Sequence, residues 1–410
     1  MKYPYRVWAE IDLAALARNL EVIRSRLAPE TKLILVVKAD AYGHGAVPIA
    51  AEASRCGVDM LGVGDSREAM EIIQAGVELP ILILGTIIDE EIGAVVRQGI
   101  QVGIHSTTRL EWLSEQALRA RRRLQVHLNL DTGMGRLGLP PAEAERAALK
   151  VLALPGLELA GIYTHFAHAS WPPNRATRHQ EGLFAGVVEK LRGEGLLPRR
   201  ALVHAAKSAS IFTNVARRWD AVRPGLAAYG ALPRGIPGAR ELTPVLTLKS
   251  QVIFYKDVPA GTPVGYDAEW IAEGPTRIAT VPAGYNDGIP WRTGRGGKSF
   301  ALVRGRPVPY AGQVSMDYLC LDIGQVPGVR IGEPVTLIGR DGERAITAGD
   351  LARAAGTSPY EILCSLGKRV ERVPVRQPGV SRWADGRMAP GTLFRQKVEQ
   401  EHQAGGTHEE

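Results

Sequence analysis

Lys38 closes a run of five apolar residues, Leu33-Ile34-Leu35-Val36-Val37, and Gly43 and Gly45 follow it closely. An uninterrupted apolar run of this kind reads as a strand covered on both faces. The end of such a strand is where barrels and doubly wound sheets build their sites. A desolvated lysine there loses its proton more readily and becomes a nucleophile toward carbonyl carbon. Position alone fits a lysine snorkelling to water equally well, so the neighbours have to decide. Tyr42, four residues on, offers a phenol that either bonds a phosphate or packs. Arg136 follows another strand end in Asp131-Thr132-Gly133-Met134-Gly135-Arg136-Leu137-Gly138, where the glycines let backbone approach a ligand and the arginine can face an anion. His165 and His168 form a His-x-x-His pair with no third ligand evident nearby, so no metal is expected and His165 reads as a stacking or hydrogen-bonding ring. In His204-Ala205-Ala206-Lys207-Ser208, the serine opens a helix, where backbone N–H groups attract phosphate. Arg223-Pro224-Gly225-Leu226 would bring further amides to the same anion and turn Arg223 toward a ligand ring. Tyr266 and Tyr285 each stand beside a glycine. They are either turn tyrosines or, for one facing Lys38 across a planar intermediate, a second acid/base.

The elements that must hold these residues are legible as apolar runs. Strands are expected near Ile34–Lys38, Met60–Gly64, Ile81–Gly85, Val102–His105, Val126–Leu130, Leu159–His165, Leu202–Ala205 and Ala221–Leu226. Amphipathic stretches such as Asp12–Arg26, Ser66–Ala75 and Arg178–Arg192 lie between them. This alternation predicts an α/β fold, a (β/α)8 TIM barrel. After about Ala231 the texture changes to short runs with turn signals: Leu246–Tyr255, Arg277–Val281, Phe300–Val303, Tyr318–Ile323 and Pro334–Ile338. They predict a C-terminal all-β domain, joined by helical pieces at Ala348–Ala355 and Tyr360–Leu366 and a last strand at Val370–Val375. The expected division is a barrel over 1–235, a β domain over 236–377 and a polar, disordered tail over 378–410.

Bulk composition narrows the class. The chain has 410 residues, 45% of them hydrophobic, which suits a large barrel plus a second domain. The net charge of +7 raises nucleic acid as a partner, but Arg119, Arg121, Arg122 and Arg123 cluster at what reads as a helix end, where positive charge suits the dipole. No interleaving of aromatic and basic residues suggests a stacking platform, so no nucleic acid is expected. Three widely spaced cysteines, Cys56, Cys320 and Cys364, argue for a reducing compartment rather than a disulfide framework. The N-terminus lacks an apolar signal core and no stretch is long enough to cross a bilayer, so a soluble cytoplasmic protein without membrane partners is expected.

Together these residues strongly resemble the alanine racemase family. The likeness runs from Trp8-Ala9-Glu10-Ile11-Asp12-Leu13 to Ser358-Pro359-Tyr360 and is most specific in Val37-Lys38-Ala39-Asp40-Ala41-Tyr42-Gly43-His44-Gly45 followed by the Asp131–Gly138 run. The resemblance implies interconversion of L- and D-alanine, supplying D-alanine for peptidoglycan, by a two-base mechanism on pyridoxal 5'-phosphate. By resemblance, Lys38 holds the coenzyme covalently and is one base, and Tyr266 is the other. Tyr42, Ser208, Gly225, Leu226 and Tyr360 bind the phosphate, Arg223 bonds the pyridine nitrogen, His165 packs on the ring and His204 supports that bonding. Arg136 lies near the substrate, Met316 gives an amide to its carboxylate and Tyr285 lines the entrance. The resemblance also implies a head-to-tail homodimer in which Tyr266, Tyr285 and Met316 reach the partner's site. The chain departs from many family members in two places. Asn129 stands where they have a carbamylated lysine, which predicts a chloride or a water near Arg136, and Lys207 stands where asparagine is frequent. Two other readings remain: a racemase of broader amino-acid specificity, and a non-enzymatic coenzyme carrier. Carriers of that type lack a β domain.

Overall fold

The computed structural model describes residues 4–167, 174–213, 219–233, 235–297 and 299–376. The expected polar tail and His168 lie outside these residues. The first strand, β1 (Val7–Asp12), is buried throughout. Eight parallel strands then close into a barrel: β2 (Lys32–Val36), β3 (Met60–Val63), β4 (Ile81–Ile83), β5 (Gln101–Ile104), β6 (Leu124–Leu130), β7 (Leu157–Thr164), β8 (Leu202–Lys207) and β9 (Ala221–Arg223). Closure is direct, with Lys32 and Leu33 of β2 opposite Ala221 and Val222 of β9. Leu33, Ile34 and Leu35 are fully buried, as an apolar run covered by helices on one face and by the barrel interior on the other should be.

The crossover helices form where the sequence supplies caps and one apolar face. In Leu13–Arg24, the Asp12 carboxylate accepts from the N–H groups of Ala14 and Ala15, and Leu16, Leu20 and Ile23 turn inward at helical spacing. Asp65 caps Ser66–Gln74 through the Glu68 N–H. Asn174 caps Arg175–Gly193, which therefore starts a turn earlier than its apolar pattern indicates. Leu110–Arg119 ends at the arginine cluster just before β6, a helix C-terminus where cations are favourable.

The second half is built from antiparallel pairs. Its largest sheet holds β10 (Leu246–Gln251), β15 (Phe300–Val303), β16 (Arg306–Pro309), β18 (Pro334–Asp341), β19 (Arg344–Ile346) and β20 (Glu371–Val375), with β1 inserted between β10 and β20. A three-stranded sheet joins β11 (Phe254–Val258), β14 (Thr276–Val281) and β17 (Leu319–Asp322), and β12 (Pro263–Val264) pairs with β13 (Trp270–Ile271). Helices Ala348–Ala355 and Pro359–Cys364 precede β20. Two features differ from the sequence expectation. The single run expected over Leu246–Tyr255 is two strands, because the chain leaves one sheet at Val252 and enters another, Ile253 donating to the Thr280 carbonyl. β1, which precedes the barrel in sequence, pairs antiparallel with β10 and parallel with β20. A boundary at 235 thus leaves β1 on the barrel side in sequence while its strand partners lie beyond it. Among the described residues, no helix is long and apolar enough to cross a membrane.

Candidate active site

The barrel carries its chemistry at the C-terminal ends of its strands. Lys38 begins the segment after β2, and that segment has an unusual backbone. Ala39, Asp40, Ala41 and Tyr42 all adopt left-handed helical angles, with φ of 53°, 53°, 52° and 55°. Each such residue costs roughly 1–2 kcal/mol when it is not glycine, so the turn must be held from outside. Glu68 accepts from the Ala39 N–H at 2.6 Å and from the Gly64 N–H at 2.7 Å. Asp40 accepts from the Ala46 N–H at 2.7 Å. The buried His44 ring sits 3.0 and 2.9 Å, through Nδ1, from the carbonyls of Ala41 and Tyr42, and stacks on Tyr229 with centroids 4.5 Å apart. Because those partners only accept, Nδ1 carries the proton.

This turn brings Lys38 and Tyr42 to the barrel mouth. The Tyr42 ring is buried, 5.1 Å from the Tyr229 ring and 5.8 Å from the Tyr360 ring. Its hydroxyl lies against Gly225 so closely that a Cβ at that glycine would meet it at 2.5 Å. Ser208 Oγ accepts from the N–H groups of Gly225 at 2.9 Å and Ala227 at 3.1 Å. With both lone pairs engaged, the serine has its O–H left to donate, which suits an anion. Leu226 is buried between these two residues.

Cations converge here. The Lys38 amine still reaches solvent through the open mouth, but the surrounding protein desolvates it, and the Arg136 guanidinium pushes its pKa further below the lysine value; the Glu68 carboxylate opposes both. Lys207 is held down by burial and then by Arg136 and Arg223, while its ammonium donates to the Phe166 carbonyl at 2.8 Å. His165 is lowered to about 3, first by burial and then by Arg223, Lys207, Arg136 and Lys38. Arg136 is presented by the loop after β6, where Asp131 accepts from the N–H groups of Gly133, Met134 and Gly135. So many positive groups acting on one another create a place for a ligand of high negative charge.

Arg223 lies deepest and is almost fully buried. Desolvation lowers its pKa to about 10. It donates to the carbonyls of Thr164 at 2.6 Å and His204 at 2.8 Å, and to His204 Nδ1 at 2.6 Å, with its guanidinium 5.2 Å from the Tyr163 ring centre. No carboxylate pairs with it among the described residues. A buried guanidinium held by carbonyls and a neutral imidazole keeps its full charge and can only donate.

The structure thus brings together Lys38, Tyr42, Arg136, His165, His204, Lys207, Ser208, Arg223, Gly225, Leu226 and Tyr360. Three expected site residues stand elsewhere in the chain. Tyr266, Tyr285 and Met316 belong to the β half, are 66%, 44% and 54% exposed, and are not among the groups acting on Lys38. Tyr266 is displayed by a strained turn in which Gly265, Asp267 and Ala268 all have positive φ. Tyr285 and Met316 share a loop pair, the Asn286 N–H donating to the Met316 carbonyl. Asn129 donates to His105 Nδ1 at 3.0 Å and the Leu137 carbonyl at 3.1 Å, leaving its Oδ1 buried without a hydrogen bond. That atom is an acceptor, so of the expected neighbours it suits a water and offers nothing to a chloride. Glu68, His44, Tyr163 and His127 escaped the sequence reading. Only Glu68 had any signal, three residues past the capping Asp65, and that signal reads as capping alone.

Two family models match the chain: the alanine racemase N-terminal domain over residues 11–233 and the alanine racemase C-terminal domain over 245–374. An alanine racemase of Syntrophobacter fumaroxidans is 38% identical over 88% of this chain and 95% of its own length. One from Synechocystis sp. is 39% identical over 90% and 98%. The crystal structure of alanine racemase from the D-cycloserine producer Streptomyces lavendulae superposes with a TM-score of 0.84 at 35% identity, covering 91% of this chain and 98% of that one.

Proposed function

The chain belongs to the alanine racemase family, and from that premise we propose that Lys38 and Tyr266 are the two proton-handling groups of its reaction. The protein is an amino-acid racemase that interconverts L- and D-alanine. The family works with pyridoxal 5'-phosphate, and the donor set of this chain fits that coenzyme. The Ser208 hydroxyl, the backbone at Gly225 and Leu226, and the phenols of Tyr42 and Tyr360 form a phosphate cradle. Arg223 and His165 would hold its ring, and Lys38 is the amine that would bind its aldehyde. Once bound, the coenzyme supplies an electron sink that acidifies the hydrogen on the α carbon of an attached amino acid.

The side chains then divide the work. Lys38, its amine biased toward the neutral form, takes or returns a proton on one face of the substrate. Tyr266 serves the opposite face, and the two exchange roles for the reverse direction. Arg223 withholds a proton from any basic nitrogen it faces, because it is itself a cationic donor that no carboxylate pairs with among the described residues. Arg136 draws the substrate's negative charge, Met316 offers its amide to the carboxylate and Tyr285 narrows the approach. Tyr266 is 66% exposed and is not among the groups acting on Lys38, which supports a pair completed by a second chain. A homodimer with shared sites supplies the missing half. We read the product as D-alanine for peptidoglycan, made in the cytoplasm, where the three free thiols of Cys56, Cys320 and Cys364 would stay reduced.

The observation that carries this reading is the meeting of a pKa-lowered Lys38 with Arg136, Lys207, Ser208 and Arg223 at one barrel mouth. Incubating the protein with pyridoxal phosphate and L-alanine in heavy water should yield D-alanine and α-deuterium in both enantiomers. Lys38→Ala and Tyr266→Phe should each cut turnover by about a hundredfold or more. Coenzyme binding without α-deuterium in either enantiomer would refute the reading.

A further inference from the structure

The centre of the barrel is polar, and its polar groups form one chain. Gln101 on β5, His127 on β6, His204 on β8 and Arg223 on β9 are all buried. Gln101 Oε1 lies 2.7 Å from His127 Nε2, His127 Nδ1 lies 2.9 Å from His204 Nε2, and His204 Nδ1 lies 2.6 Å from the Arg223 guanidinium. We propose that Gln101 and His127 are positioning residues for Arg223, acting through His204, whose Nε2–H they hold so that its bare Nδ1 stays fixed against the guanidinium. The proposal rests on the reading of Arg223 as the group that faces the coenzyme ring.

The proton arrangement follows from one asymmetry: Arg223 donates and cannot accept. His204 Nδ1 must therefore be bare, and its proton sits on Nε2. That N–H needs an acceptor, so His127 Nδ1 is bare and the His127 proton is also on Nε2. Gln101 must then present its oxygen, which fixes the orientation of the amide. Reversing the amide would require His204 to be bare at both nitrogens. Protonating either ring would set one N–H against another donor. Burial favours the same neutral state, lowering His127 to about 3 and His204 well below the usual histidine value.

The surroundings are shaped around this chain. A Cβ at Gly161 would lie 2.2 Å from His127 Nδ1, so glycine leaves the space the ring occupies. The Tyr163 ring lies parallel to His204, with centroids 4.9 Å apart and 9° between planes, and is itself under the Arg223 guanidinium. Gln101 lines a cavity of about 220 Å³ at the opposite, N-terminal mouth, together with Gln125, Asp59 and Arg200. The charge that meets the ligand is thus steadied from the far end of the barrel. A glutamate at 101 would draw a proton onto His127 and break the chain, which accounts for a neutral amide there.

Nitrogen NMR of histidine-labelled, coenzyme-free protein reads the tautomers directly. Both rings should show Nε2–H and a bare Nδ1. In Gln101→Leu, the His127 Nε2–H loses its acceptor, so its nitrogen shift should move while the tautomer is kept, and kcat for alanine in the coenzyme-loaded enzyme should fall about tenfold with little change in KM, as loss of an outer hydrogen-bond partner does at other centres. Gln125→Leu, at the same mouth but outside the chain, should leave the His127 Nε2 shift and kcat unchanged. An Nδ1–H or doubly protonated ring in the unaltered protein overturns the proposal, as does Gln101→Leu with an unchanged His127 Nε2 shift and unchanged kcat. Predicted tautomers in a protein that fails to turn over alanine would support the hydrogen-bond chain and refute the functional reading instead.

Discussion

At the scale of single residues, the account turns on how Lys38 is held. Arg136 lowers its pKa and Glu68 raises it, so substitutions at the two positions should act in opposite directions. In coenzyme-free protein, the pH profile for acylation of the Lys38 amine should have its midpoint below that of an ordinary lysine. Arg136→Leu removes a repelling charge and should move the midpoint to higher pH, while Glu68→Gln should move it lower. If neither substitution moves the profile, these charges do not act on Lys38. The lysine was legible because a cation ending an apolar run is costly unless it has a use. The residues that tune it were not. Glu68 sits in the first turn of a helix, where acidic residues are common, and His127 and Gln101 alternate with apolar neighbours in strands with nothing to mark that they face one another across a barrel.

At the scale of elements, the left-handed turn from Ala39 to Tyr42 is the strongest departure from what the sequence discloses. Nothing in Ala-Asp-Ala-Tyr asks for positive φ; tertiary contacts with Glu68 and Arg372, and the local bonds of the His44 ring, hold it. Gly43, at φ 78°, closes the turn under the Leu363 carbonyl, where a Cβ would come within 2.1 Å. Gly43→Ala should therefore lower stability by roughly 1–3 kcal/mol and reduce coenzyme affinity as Tyr42 shifts. Gly57→Ala, at φ 68° with open space around it, should cost only about 1 kcal/mol and leave the site untouched. Denaturant midpoints with coenzyme titrations would separate the two; equal losses would mean that the turn does not lean on the Leu363 carbonyl. β1 hid for a related reason. Its central Glu10 reads as a surface residue, yet it is buried, with Lys249 at 2.9 Å and the Trp8 indole N–H at 3.3 Å. The barrel strands were legible because each is a short apolar run between helices, which has few folded solutions.

At the scale of the whole molecule, the barrel mouth and the β half carry complementary chemistry. The barrel mouth of one chain holds Lys38 with its cradle of donors, and the β half exposes Tyr266, Tyr285 and Met316. An exposed apolar and phenolic group of this kind calls for a covering surface, and a second copy of the chain has the mouth it lacks. If two chains assemble the site, as proposed, no periodicity or spacing within one chain can reveal it. This arrangement gives the central claim its sharpest test. Lys38→Ala and Tyr266→Phe proteins, each inactive alone, are unfolded, mixed in equal amounts and refolded, and alanine racemisation is measured with the dimer composition checked by mass. Shared sites predict recovery to about a quarter of the unaltered rate, since about half the dimers are mixed and one of their two sites carries both side chains. Mixed dimers that form and stay inactive would contradict the pairing of Lys38 with the partner's Tyr266.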